Sequence, residues 1–224
     1  MPDLSARATD PELLDEGVPD DEAIRSLGDL RFVNRWLGGR RSLRRAVTPL
    51  LSGLERPTLL DVGCGSADLP HLLRADLGQR LRVVGLDIKL VHLRETPPGI
   101  ERVLGDVRRL PFRARSFDVV TASLFLHHFD TAEVAPLLAS LFALARRALV
   151  VNDLHRALVP YLFGRATFPV LFRSPVSVAD GLLSIRRAFR PAELREAFTE
   201  AGLPSVTIQR SFPYRLVAVA QRTA

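Results

Sequence analysis

Four carboxylates and three histidines lie where apolar runs break into turns, the positions at which a fold can present chemistry to a ligand. The first carboxylate is Asp61, inside Leu59-Leu60-Asp61-Val62-Gly63-Cys64-Gly65-Ser66. Glycines are needed where a ligand approaches the backbone so closely that a Cβ would collide. A carboxylate just ahead of them would repel a pyrophosphate and tolerate a ligand bearing an ammonium and a sulfonium. Asp87 closes the next apolar run, where an acidic side chain can accept hydrogen bonds from two ribose hydroxyls. Asp106 follows a third, weaker run within Gly105-Asp106-Val107. Cys64 reads as a small buried residue and not as a nucleophile, because no sequence neighbour would lower its pKa.

The histidines come later. Leu126-His127-His128-Phe129-Asp130 follows the run Phe117 to Ala122, and Asn152-Asp153-Leu154-His155 leaves the run Ala148 to Val151. Imidazole titrates near neutrality, so His127, His128 and His155 are candidate bases for taking a proton from a phenol. Asp153 would orient His155 or bind the acceptor; alternatively, both tie down the connection that follows. No spacing matches a zinc or iron site, and no metal is expected.

Such residues need a scaffold that brings them to one rim. From Asp21 to Leu54 apolar residues recur at helical spacing, with Gly38-Gly39 dividing two helices. From Pro57 onward, short apolar runs alternate with helical stretches near 67–77, 131–145 and 191–201, which predicts a parallel sheet covered on both faces. Ser205 to Ser211 and Arg215 to Ala220 are too close together for a helical crossover and predict an antiparallel pair at the sheet edge. The expected fold class is α/β: a doubly wound, mostly parallel seven-stranded sheet whose last strand is antiparallel.

Residues 1–20, acidic and proline-bearing, read as a loose arm, and 21–56 as a helical N-terminal extension. Residues 57–224 then form a Rossmann-like domain. Within it, 154–190 interpose Tyr161, Phe163, Phe168 and Phe172 where a bare core would use a short connection. This insertion predicts a helical lid over an acceptor pocket, with Tyr161 and Phe168 against the acceptor. The alternatives are that the same residues pack a homodimer interface or fill core.

The ordered set resembles the class I S-adenosylmethionine-dependent methyltransferases from about Thr58 to Val151. The similarity lies in the glycine-rich turn, the acid at Asp87, Gly105-Asp106-Val107, and Ser116-Phe117-Asp118-Val119-Val120. The resemblance implies S-adenosylmethionine as cofactor and S-adenosylhomocysteine as its product. It implies that Asp61, Gly63, Cys64 and Gly65 surround the methionine end, with Asp87 and Ile88 at ribose and adenine. Asp106 and Val107 would meet the adenine ring, and Ser123 would stand beside the cofactor. It also implies a catalytic histidine after the fourth strand, as in small-molecule enzymes of bacterial natural-product and quinone pathways. The leading expectation is O-methylation of a phenolic or polyketide-like metabolite, a role in secondary metabolism. C-methylation of a quinol-type ring, an RNA or protein methyltransferase, and a non-catalytic cofactor-binding module stay open. A nicotinamide oxidoreductase is more remote, because Asp68 replaces the third glycine of a dinucleotide turn.

Composition bounds the partners. The chain has 224 residues and is 47% hydrophobic, enough for a real core. No window holds the ~18 uninterrupted apolar residues of a membrane-spanning helix. The opening Pro2, Asp3 and Asp10 do not resemble a secretory signal, and a single cysteine excludes an internal disulfide framework, so a cytoplasmic enzyme is expected. The net charge of +6 comes from arginines spread from Arg7 to Arg222, with Lys89 the sole lysine. Nucleic-acid binding needs a concentrated basic face, so the expected partner is a small, lipophilic acceptor and not nucleic acid. Ala122-Ser123-Leu124-Phe125 also lacks the polar, proline-bearing tetrad that engages target amines.

Overall fold

The computed structural model describes residues 3–203 and 205–222. Its strands are β1 (Thr58–Val62), β2 (Arg82–Asp87), β3 (Glu101–Leu104), β4 (Phe117–Ser123), β5 (Ala145–Leu154), β6 (Thr207–Ser211) and β7 (Arg215–Gln221). They form one sheet in the order β3-β2-β1-β4-β5-β7-β6. The first five strands are mutually parallel, and β7 runs against both β5 and β6. The order reverses between β1 and β4, which opens a crevice at the carboxyl ends of these strands.

The helices are α1 (Leu13–Glu16), α2 (Asp20–Trp36), α3 (Gly39–Leu51), α4 (Asp68–Leu77), α5 (Leu90–Arg94), α6 (Thr131–Leu144), α7 (Leu158–Leu171), α8 (Pro175–Arg187) and α9 (Pro191–Glu200). Alternate residues of each strand face opposite sides, and both sides are covered. Leu60, Val62, Val120 and Leu149 pack with Leu138 of α6 and Leu194 and Phe198 of α9. Leu59, Val83, Val119 and Val150 pack with Leu43 and Val47 of α3 and Leu69 and Leu73 of α4. The expected seven-stranded α/β architecture is therefore present; β5 runs well beyond its apolar run, whereas β6 is shorter than the run that predicted it.

Gly38, between α2 and α3, has φ 87°, and a Cβ there would lie 2.8 Å from the carbonyl oxygen of Phe212. Only glycine allows α2 to turn so tightly beside the β6–β7 connection. The insertion expected as a lid folds into α7 and α8 and is bolted down by buried polar groups. Asp29 of α2 accepts from the amides of Arg173 (3.0 Å) and Ser174 (2.9 Å) at the turn between them.

The stretch 1–20, expected to be loose, is instead fastened along its described length. Arg7 lies over the Phe189 ring at 3.9 Å and donates to the carbonyls of Arg187 and Phe129. Asp180 of α8 accepts from the amides of Leu13 (2.8 Å) and Leu14 (2.9 Å). The partners of these charges lie more than a hundred residues away, where local composition carries no trace of them.

Arg187 joins the pieces. From α8 it donates to the carbonyls of His127 (2.9 Å), His128 (2.7 Å) and Thr9 (3.1 Å), and also to that of Asp10. Truncating it leaves buried carbonyls unpaired, so Arg187→Ala is expected to lower unfolding free energy by about 3 kcal/mol in urea titrations. A loss below about 0.5 kcal/mol would show that these bonds do not hold the lid and arm to the core.

Candidate active site

Two adjoining cavities open at the carboxyl end of the sheet. The larger, of about 380 Å³, is lined by Gly63, Gly65, Asp87, Ile88, Asp106, Val107, Lys89 and His128, among others. Its size falls in the range of about 300–1,000 Å³ usual for small-molecule sites. The smaller, of about 140 Å³, lies between α2 and the lid, with Leu30, Val33, Phe168, Phe172 and Ile185 on its walls. Leu14, Leu30, Leu124 and His128 line both. Leu124 is held at φ 51°, a left-handed conformation that costs a branched-chain residue energy and often marks a functional turn.

The glycine turn forms the floor of the larger cavity. Gly63 has φ 60°, and a Cβ on it would come within 2.0 Å of the Phe125 ring. Asp87 shapes the turn: its carboxylate accepts from the Gly65 amide (2.8 Å) and the Lys89 amide (2.9 Å). Each carboxylate oxygen keeps acceptor capacity for a further donor. Ile88, at the rim, is 62% exposed, an apolar surface presented to the cavity. Asp106 accepts from the Arg108 amide at 2.9 Å. A glycine cradle, two carboxylates and an apolar platform on one cavity are the set that ribose, adenine and a cationic amino-acid end require.

Asp61 lies two residues before Gly63 and does not reach the cavity wall. Burial raises its pKa to about 7, partly offset by the hydrogen bond from Thr121 Oγ1 (2.6 Å), while Asp68 and Asp87 push the same way as burial. Cys64 contributes its backbone to the turn, but its Sγ is packed so tightly on Gly85 that a Cβ there would stand 2.8 Å away. Burial pushes the thiol's pKa up, so Cys64 is a core residue and not a side-chain ligand. Ser123 ends β4 with its Oγ buried and without a protein partner, off both cavity linings.

The histidines separate into distinct environments. His127 is buried, with Nδ1 2.6 Å from Asp153 and Nε2 3.5 Å from Glu12. Burial alone would lower its pKa, but Asp153 and Glu12 outweigh burial and raise it well above neutrality. Asp153 moves down in return: burial works against it, and the facing imidazolium prevails. With a carboxylate facing each ring nitrogen, His127 has no free nitrogen to offer an acceptor, so its contacts fit a structural role. His128 stacks on His127 at a centroid distance of 4.4 Å, and its Nδ1 lies 2.6 Å from Asp15.

His155 does not join them. It sits at the far end of β5, bridged to Phe189, and lines neither cavity. Burial lowers its pKa, with Arg210, Arg190 and Arg156 adding to the effect. Asp153 is spent on His127, and Tyr161 lies off both cavities, whereas Phe168 lines the smaller one as expected. Glu12, Leu14 and Asp15 went unnoticed in the sequence. The apolar pair Leu13-Leu14 inside an acidic stretch was their one local signal, marking a segment that packs rather than floats. Glu12, His127 and His128 bring potential ligand atoms within 4.8 Å of one another and could hold a cation. The direct imidazole–carboxylate contacts account for the same cluster without an ion.

This sheet, crevice and glycine turn define the fold of the class I S-adenosylmethionine-dependent methyltransferases. Within this fold, residues 59–148 of the chain match the family model described as a methyltransferase domain. It is similar to the demethylmenaquinone methyltransferase of Chlorobaculum tepidum, 29% identical over 128 residues, 56% of this chain. It spans only about half (51%) of that relative's length. A second demethylmenaquinone methyltransferase, from Lactococcus lactis subsp. lactis, is 28% identical over 71% of this chain and 69% of its own. Among solved structures, the plantazolicin methyltransferase BpumL aligns over 91% of this chain and 97% of its own at TM-score 0.69 and 12% identity. Magnesium protoporphyrin IX methyltransferase from Synechocystis PCC 6803 aligns over 83% and 84% at TM-score 0.57 and 21% identity. At these identities the structural likeness speaks for the fold.

Asp61 yields a test. Its folded pKa lies above the unfolded value of about 3.9, so the folded state holds an extra proton between about pH 4 and pH 7. Its contribution therefore makes stability fall as pH rises through that window. Asp61→Asn is expected to stabilise the protein by about 2 kcal/mol near pH 8 in urea titrations. Unchanged stability there would show that no buried carboxylate is ionised at this position.

Proposed function

We propose that this chain transfers a methyl group from S-adenosylmethionine to a small, lipophilic, aromatic acceptor, with O-methylation of a phenolic hydroxyl as the leading reaction. The observation that carries this reading is the apolar cavity under the lid, which shares His128 with the donor cavity. A cavity of about 140 Å³ suits a ring; a longer alkyl tail must leave it past α7 or α2.

When bound, S-adenosylmethionine supplies an electrophilic methyl group on a sulfonium. The chain's own residues align the acceptor and manage its proton. Nδ1–H of His128 donates to Asp15, which leaves the Nε2 lone pair to accept the phenolic proton. The phenolate oxygen so formed is the nucleophile. His127, held between Asp153 and Glu12 on the wall of the same cavity, positions His128 by stacking on its ring at 4.4 Å. Leu14 and the lid residues keep water from competing.

A second reading is favoured by the names of the two relatives that methylate demethylmenaquinone. Loss of the same proton from a quinol delocalises charge onto the adjacent ring carbon; methyl transfer there breaks the sulfonium–methyl bond, and the ring hydrogen then leaves as a proton to solvent or to the quinol oxygen, restoring the aromatic ring. The NMR spectrum of the product separates the two, because an oxygen-bound and a ring-bound methyl group resonate far apart.

His128→Ala is expected to lower kcat by about 10²- to 10⁴-fold with donor affinity unchanged. Asp15→Asn is expected to do so less, and His155→Ala not at all. Full turnover by His128→Ala would place the base elsewhere or mean that the acceptor arrives already ionised.

A further inference from the structure

The outer face of α7 is apolar and uncovered. Leu158, Val159, Leu162, Ala166, Pro169 and Val170 are all exposed. At about 100° per residue they fall within an arc of about 120°. Val159 is 60% and Val170 84% exposed, values that a soluble helix usually reserves for polar side chains. The inner face of the same helix carries Phe168 into the acceptor cavity. The apolar surface continues beyond the helix. Phe163 touches Tyr214 with ring centroids 5.7 Å apart, and the neighbouring Phe212 is 79% exposed. Phe212 in turn abuts Gly38, two residues after Trp36, which is 64% exposed.

Along the segment that carries this surface the charge has one sign, while Asp29 and Glu22 of α2 are bound to Arg173 and Ser174 at its edge. From Leu154 to Ala179 the sequence contains no acidic residue, while Arg165 borders the apolar arc and Arg173 follows the helix. Arg35 stands over the Trp36 ring at 5.3 Å. Aromatic residues and arginines around an apolar helix face match the boundary between acyl chains and headgroups, where the guanidinium reaches out to phosphate while its stem stays in the apolar layer.

We propose that the outer face of α7, with Trp36 and Phe212 beside it, docks on the surface of an anionic lipid bilayer. The helix lies in the interfacial plane, its apolar arc among the acyl chains and Arg165 and Arg173 at the headgroups. A second copy of the chain is the poorer occupant: an antiparallel two-fold pairing of α7 sets Arg165, near the middle of the helix, close to its own symmetry mate. Docking of this kind sets one wall of the acceptor cavity against the phase in which lipophilic molecules dissolve. The inference does not depend on which atom is methylated, and its test needs no acceptor.

Trp36 is the only tryptophan, so its fluorescence reports docking of the unaltered protein directly. Vesicles of phosphatidylcholine mixed with phosphatidylglycerol are expected to shift its emission to the blue and to sediment the protein; phosphatidylcholine alone is expected to do so much more weakly. Val159→Glu combined with Val170→Glu should abolish both signals at unchanged Tm, since both side chains are exposed. Arg165→Ala and Arg173→Ala should each weaken binding about fivefold at low salt. An unshifted emission and no sedimentation with the anionic vesicles would overturn the proposal. So would a dimer by light scattering that the double glutamate variant converts to monomer, because the face would then belong to a second copy.

Discussion

The structure around the active site depends on one buried contact, the imidazolium of His127 held between Asp153 and Glu12. Asp153 comes from β5, at the centre of the sheet, and Glu12 from the arm at the start of the chain. Neither carboxylate could stay buried and charged alone, because the cost of desolvating it would exceed any local gain. Together with the cation they form a unit whose members must be present at once. That requirement fastens the arm over the donor cavity, and with it Asp15 beside His128. The hydroxyl of Ser184 on α8 donates to Glu12 at 2.7 Å, so the lid answers to the same contact.

Donor and acceptor cavities are consequently built from different parts of the chain with different physics. The donor side is made by backbone: a glycine turn at the switch point of the sheet, with Asp87 holding its amides in place. The acceptor side is made by apolar side chains of α2, α7 and α8, elements added to the core. Backbone geometry tolerates little change, whereas an apolar cavity changes shape with each side chain. The first is suited to one invariant ligand and the second to selecting among acceptors. Leu124 and His128 stand at the seam between the two cavities, where the proposed reaction would carry the methyl group across.

The placing of Gly63, Gly65, Asp87 and Asp106 on one cavity was legible from the sequence because it is local: each interrupts an apolar run, and the alternation of runs and helices dictates which end of the sheet they share. Asp61 interrupts a run too, but lies inside the strand and off the cavity wall. The acceptor half was less legible. His127, His128 and His155 are alike as letters; what distinguishes them is whether a carboxylate faces one nitrogen, both or neither. His155 follows β5 by a single residue, yet the strand's continuation to Leu154 carries it past the rim toward Phe189. Glu12 and Asp15 lie in a segment whose composition suggests disorder, and its partners are Asp180, His127 and His128. Cys64 was misplaced for a related reason: its backbone is in the turn, but a residue between two glycines can turn its side chain into the core. Phe168 lines the smaller cavity, while Tyr161, two turns earlier on the same side of α7, lies beyond its end.

The central claim is that the apolar cavity beside His128 receives the methyl group's acceptor. The most direct measurement incubates the protein with S-adenosylmethionine labelled in its methyl group and a panel of phenols and hydroquinones, with total RNA and bulk protein in parallel. The account predicts label in the organic extract, carried by a ring-bearing panel member, and none in the macromolecular fractions. Label confined to RNA or protein would contradict it, because the cavity between α2 and the lid would then have no part in choosing the acceptor.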